Sequence, residues 1–154
     1  MIRTLKCLSV LLSYPSEELI AAAPEIGAAL LAEGLVPKSE MRPLLKLVDG
    51  FAQGDIYDLQ ERYGLLFDRT RSLSLHLFEH VHGESRERGQ AMVDLKDHYD
   101  RHGLELGTSE MPDFLPLFLE FLSTRPLPEA RSLLGQPLHV LTALRQRLAK
   151  RGSP

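Results

Sequence analysis

The run Phe114-Leu115-Pro116-Leu117-Phe118-Leu119-Glu120-Phe121-Leu122 carries one polar side chain in nine residues, and it reads as the heart of a helix over 112–124. A helix that is apolar all round has to lie inside the molecule, so this segment predicts a central helix with others packed about it. Pro112 suits the first turn, where its missing N–H costs nothing. Only Asp113 and Glu120 interrupt the apolar surface. Seven residues apart, they lie about 20° from eclipsed on a straight helix and so form one acidic stripe. That stripe is either a solvated face or the wall of a groove that receives a basic peptide.

Helical spacing recurs on both sides of this segment. Ile2, Leu5, Leu8 and Leu12 show it, as do Ile56, Leu59, Tyr63, Leu66 and Phe67, and Leu141, Leu144 and Leu148 near the end. Ser16, Ser39, Asp55 and Ser85 stand where N-caps belong, and Gly34, Gly54 and Gly103 where helices stop. The pattern predicts helices over 2–14, 16–33 with a bend or break at Pro24, 39–53, 55–68, 85–102, 112–124, 127–134 and 137–150. Ser72-Leu73-Ser74-Leu75-His76-Leu77 alternates with period two, as a strand would. A lone strand has nothing to pair with, so the segment is read as an extended or irregular connector. The fold class is therefore all-α, one bundle-like domain over 1–154 with about seven to eight helices and no sheet.

Composition narrows the function. Eighteen Lys and Arg face 21 Asp and Glu among 154 residues, a balance that creates no field suited to nucleic acid or a membrane surface. Cys7 is the single cysteine, which excludes an intrachain disulfide and a cysteine-built zinc or iron–sulfur site and fits the cytoplasm. Arg3 and Lys6 precede a short apolar run ending at Leu12, but Glu17 and Glu18 come soon after it, so no cleaved leader is expected. No stretch approaches the roughly 20 apolar residues of a membrane span.

His76-Leu77-Phe78-Glu79-His80 matches the H-x-x-E-H pattern of inverted zinc peptidases. On a helix the two imidazoles would share a face, Glu79 would act as general base, and Glu84 or a distant carboxylate would complete the metal site. A five-residue pattern alone is weak evidence. The competing reading has Glu79, His80, His82 and Glu84 hydrogen-bonding a tight connector whose turn Gly83 permits. No G-x-S-x-G and no phosphate-binding loop accompany the histidines, so no catalytic residue is assigned.

Three stretches carry a resemblance. Tyr63-Gly64-Leu65-Leu66-Phe67-Asp68-Arg69, the long run Leu77-Phe78-Glu79-His80-Val81-His82-Gly83-Glu84-Ser85-Arg86-Glu87-Arg88-Gly89-Gln90-Ala91-Met92-Val93-Asp94-Leu95, and Glu110-Met111-Pro112-Asp113-Phe114-Leu115-Pro116 are similar to the nitrate reductase molybdenum cofactor assembly chaperones, or delta subunits. The likeness extends from the first helix to about Leu148. That family belongs with the TorD and DmsD redox-enzyme maturation chaperones, which are all-helical. Their shared E-x-x-P-D signature is matched by Glu110, Pro112 and Asp113, while Phe114 stands where the family often has histidine. Family members usually continue past Pro154, so the chain resembles a form without the variable C-terminal tail.

The resemblance implies a non-enzyme, without cofactor of its own, that binds the N-terminal segment of the apo catalytic (alpha) subunit of nitrate reductase. It implies support of iron–sulfur and molybdenum cofactor insertion, delayed membrane docking, and absence from the finished enzyme. A monomer or weak homodimer is expected. The alternatives are the zinc peptidase and a generic helical peptide-binding module. A client folding as an amphipathic helix would lie beside the 112–124 helix, its basic groups meeting Glu110, Asp113 and Glu120 and its apolar face touching Tyr63 and Phe67. Pro112 completes the signature. Asp68 with Arg69, or Glu84 with Arg86, would lock the connector that also holds Glu79, His80, His82 and Gly83.

Overall fold

Helix starts are set by where the first backbone N–H groups find acceptors. In the computed structural model, which describes residues 1–83, 85–107 and 109–153, the Ser16 hydroxyl accepts from the Leu19 N–H at 3.1 Å. This opens α2 (Glu17–Glu33), which closes at Gly34 in the left-handed region (φ 69°), where glycine carries no Cβ penalty. The Asp55 carboxylate accepts from Tyr57 and Asp58 and opens α4 (Ile56–Tyr63). Helix α1 (Arg3–Leu11) has no cap of its own. Glu33, the last residue of α2, supplies one by accepting from the backbone N–H groups of Arg3 (2.9 Å) and Thr4 (2.7 Å), an anion at a helix N-terminus. Helix α2 runs unbroken through Pro24, and α3 (Lys38–Gln53) runs through Pro43.

The remaining elements are a π turn at Gly64–Asp68, a 3-10 turn at Arg71–Leu73, α5 (Leu77–Val81), α6 (Arg86–Arg101), α7 (Leu115–Ser123), α8 (Leu127–Gly135) and α9 (Leu138–Lys150). All-α is therefore the class. The helix expected over 55–68 is α in its first half and π in its second, and the short α5 has no counterpart among the expected helices.

Helix α7 is the centre, as its composition required: Leu115, Phe118, Leu119, Phe121 and Leu122 are all buried. Around it gather Leu73, Leu75 and Leu77 of the connector, Tyr99 of α6, Ala130 of α8, and Val140 and Leu144 of α9. A second cluster joins α1, α2 and α3 through Cys7, Leu11, Leu19, Ala23, Ile26, Leu30 and Val48. Helix α1, with the Ile2 that precedes it, belongs to both, giving Ile2 and Leu5 to the first and Cys7 and Leu11 to the second. It is held along α7 at both ends, by Ile2 N–H on the Ser123 carbonyl (2.7 Å) and the Ser9 hydroxyl on the Pro116 carbonyl (2.5 Å).

The start of α7 corrects the expected 112–124 helix. Leu77 N–H donates to the Asp113 carbonyl (3.0 Å) and Leu115 N–H to the Leu75 carbonyl (2.8 Å), an antiparallel bridge centred on His76 and Phe114. Residues 112–114 are thereby committed to the connector, and Pro116 takes the first-turn place expected of Pro112. The period-two run thus finds one partner, although no strand forms among the described residues. Its alternation points Leu73, Leu75 and Leu77 into the core.

Leu122 is fully buried on α7 and Leu31 is 57% exposed on α2. Leu122→Ala should lower the unfolding free energy by about 2–5 kcal/mol, and Leu31→Ala by less than about 0.5 kcal/mol, as read by urea denaturation followed by circular dichroism.

Candidate functional site

Two clefts meet at Tyr63. The first is an apolar groove of about 380 Å³ between α1, α3, α4 and the end of α9, floored by Leu11, Leu12, Leu47, Phe51, Leu59, Leu66, Phe67 and Leu148 and edged by Lys46 and Arg62. The second, about 440 Å³, is lined by Tyr14, Tyr63, Met111, Phe114 and Leu117 together with Asp68, Glu110 and His76. One cleft is greasy and the other carries two carboxylates.

The wall between them is the π turn. Arg69 N–H bonds the Gly64 carbonyl (3.0 Å), five residues back, in place of the α-helical four. The extra residue rotates the downstream side chains by about 100° relative to a continued α-helix, and such single turns recur at functional sites. It places Leu66 and Phe67 in the groove and Asp68 in the acidic cleft. Tyr63 is fixed from three sides: its hydroxyl donates to the Leu12 carbonyl (2.9 Å), and its ring meets Tyr14 edge-on at 5.6 Å and Phe67 at 5.0 Å. Burial, helped by the nearby Asp68 charge, pushes the phenol up to about 12, so it stays a donor.

The E-x-x-P-D signature divides its labour. Glu110 is exposed, lines the acidic cleft and steadies its own loop by accepting from the Gly107 N–H (2.7 Å). Pro112 is buried, and its carbonyl accepts from the hydroxyl of Tyr99, itself wholly buried (2.8 Å). Asp113 has no exposed surface. Its Oδ2 accepts from the Phe78 N–H (3.0 Å), and its Oδ1 lies 3.5 Å from His76 Nδ1, an ion-pair distance longer than a good hydrogen bond. Direct contact between Asp113 and a client's basic group, as the sequence suggested, is therefore not offered by this surface. The acidic stripe is absent too, because Asp113 precedes α7 and Glu120 pairs with Lys6 of α1 at 2.8 Å. Asp68, expected only as part of a connector lock, takes the place of those two in the cleft.

The connector is held at Glu79, His80, His82 and Gly83, through partners that the sequence did not name. His80 Nε2 donates to the Ser74 carbonyl (2.7 Å), Glu79 faces Arg88 at 3.6 Å, and His82 stacks edge-on to Phe78 at 5.5 Å with Glu87 at 3.9 Å. Gly83 turns in the left-handed region (φ 56°), and Arg86 opens α6 at the surface. Arg69 joins Asp68 and Glu79 around a shallow neighbouring cleft. Glu84 lies outside the described residues. The H-x-x-E-H residues do not share a helical face: His76 precedes α5 in extended conformation with its ring on Asp113 and 5.1 Å from Phe114, while the His80 ring is engaged by Ser74.

The Asp113 carboxylate raises the His76 pKa above the ordinary imidazole value; burial opposes this, Glu79 reinforces it and Arg88 weakens it. A raised folded-state pKa adds stability that is complete below the ordinary value and is lost as pH rises through the raised one. Stability should therefore decline with rising pH in that window. Asp113→Asn keeps an acceptor for Phe78 but removes the charge, so the decline should vanish and the His76 proton resonances should titrate lower, as NMR and urea melts across neutral pH will show.

The nitrate reductase delta subunit family matches residues 26–154. The nitrate reductase molybdenum cofactor assembly chaperone NarJ of Escherichia coli strain K12 is 45% identical over 145 residues, 94% of this chain and 61% of the relative. A relative from Bacillus subtilis strain 168 assigned to the same role is 33% identical over 150 residues, 97% of this chain and 80% of the relative. The chain thus spans about three fifths of the length of the Escherichia coli protein. A solved structure from Archaeoglobus fulgidus, described as a candidate redox enzyme maturation protein, superposes with a TM-score of 0.60 at 27% identity, covering 84% of this chain and 72% of that one. On the extent of the family match and these identities, the chain belongs to the nitrate reductase delta subunit family.

Proposed function

We propose that the chain is a system-specific chaperone that binds the N-terminal segment of the apo catalytic subunit of nitrate reductase as an amphipathic helix. The observation that carries this reading is the junction at Tyr63 of an apolar groove with an acidic cleft. An amphipathic helix needs a trough for its apolar face, and a basic group at one end of it needs a carboxylate. Leu66 and Phe67 supply the trough, and Asp68 and Glu110 supply the charge.

The mechanism is binding and release. Covering an apolar client segment removes it from aggregation and from premature docking at the membrane, while the rest of the client stays open to iron–sulfur and molybdenum cofactor insertion. These steps take place in the cytoplasm, and the chaperone leaves before the enzyme is complete. No bond is made or broken by its own side chains.

Calorimetric titration with a peptide copying the N-terminus of the catalytic subunit, against a scrambled control, tests the reading. Selective binding is expected; equal binding of the scrambled peptide would leave only a generic helical module. Phe67→Ala should weaken the complex roughly tenfold or more, as loss of an aromatic anchor does. Glu110→Gln and Asp68→Asn should each make the affinity less dependent on salt.

A further inference from the structure

The two clefts that meet at Tyr63 differ in the sign of their charge as well as in polarity. Among the described residues, Tyr63 alone lines both. The cations stand on the groove side, Lys46 on α3 and Arg62 on α4, with no carboxylate among the described lining residues. The carboxylates stand on the other side, Glu110 and Asp68, with no Lys or Arg among the described lining residues. His76 lines the acidic cleft too, but the Asp113 carboxylate 3.5 Å away offsets its charge. Helix α3 gives nothing to the acidic cleft, and the 109–117 segment gives nothing to the groove. The two charged ends therefore lie to either side of Tyr63, and a helix laid across the junction meets cations at one end and carboxylates at the other.

All four of these side chains are exposed. Charges at the rim of an interface do little for raw affinity, but they set orientation and exclude wrong arrangements. A helix is itself polar, with about half a positive charge at its N-terminus and half a negative charge at its C-terminus. Its first N–H groups need acceptors and its last carbonyls need donors. Where the helix opens at the beginning of a chain, the α-amino group adds a full positive charge at neutral pH. Glu110 is placed to receive it: the Gly107 N–H takes Oε2, and Oε1 has no partner among the described residues. Asp68 also borders the shallow cleft of Arg69 and Arg71, so Glu110 is the stronger attractor.

We infer that the client helix lies in one direction, its N-terminal end and free α-amino group on Glu110 and Asp68, and its C-terminal end toward Lys46 and Arg62. This direction rests on the client reading above and narrows the partner to a helix that opens at a free chain terminus. The reverse direction sets like charges against one another at both ends.

Two nitroxide-labelled forms of the peptide copying the N-terminus of the catalytic subunit, bound to the full chain and followed by amide NMR, report the direction. A label at the peptide's N-terminal end should broaden Met111, Phe114 and Leu117, and a label at its C-terminal end Gly50 and Phe51. By calorimetry, N-acetylation of the unlabelled peptide should weaken binding about two- to fivefold, the effect of a charge at a helix end. Glu110→Gln, an exposed and nearly isosteric change, should erase the difference between free and acetylated peptides. Lys46→Gln and Arg62→Gln should weaken both forms equally, since they act at the other end. The reverse broadening pattern, equal broadening of both regions by both labels, or equal affinity of free and acetylated peptides would overturn the direction and leave the client reading standing. Failure of the peptide to bind selectively would overturn both.

Discussion

The structure turns on a carboxylate that has no contact with water. Burying a carboxylate costs several kcal/mol unless its oxygens are satisfied, and help comes from a segment distant in sequence: the Phe78 N–H bonds one oxygen, while the other, 3.5 Å from the His76 imidazole, has no hydrogen-bond partner among the described residues. Two backbone hydrogen bonds flank them, joining Leu77 to Asp113 and Leu115 to Leu75. Because Tyr99 grips the preceding carbonyl from α6, three elements converge on the few residues before α7. A helix cannot begin until that bridge is complete, so Asp113 decides where α7 starts.

The position of α7 in turn sets the rest. Helix α1 lies along it, bound at Ser123 and Pro116, and is capped by Glu33 from α2, so the second core cluster is tied to the first through one helix. The end of α1 presents the Leu12 carbonyl that holds Tyr63, and Tyr63 stands where the two clefts meet. The groove is thus built on packed helices, and the acidic cleft takes Phe114 and His76 from the bridge itself. Preorganisation of this kind would lower the entropy lost on binding a client helix in the proposed role.

Much of this was legible in the sequence, and the misses share a cause. Helices α2, α6, α8 and α9 fall within a residue or two of where periodicity and caps put them, because their apolar spacing is regular. The all-apolar run announced α7 as the centre. Periodicity carried the helix too far back, to Pro112, because nothing local shows that the Asp113 carbonyl and the Leu115 N–H are taken by the connector. It could not separate π from α at Gly64–Asp68 either, since one inserted residue leaves the types unchanged while turning the side chains downstream of it.

The signature residues show why a motif can mark importance without disclosing a role. Glu110, Pro112 and Asp113 are neighbours in sequence, yet the first is exposed in a cleft and the other two are buried beneath it. Reading all three as contacts assumes that a functional motif is a surface, whereas a buried carboxylate that orients His76 acts on the cleft through geometry. Exposure therefore separates the residues that touch a ligand from those that hold the touching residues in place. By that criterion Asp68, which the sequence placed in a connector lock, and Glu110 belong to the lining of the acidic cleft, and Asp113 to the frame that shapes it.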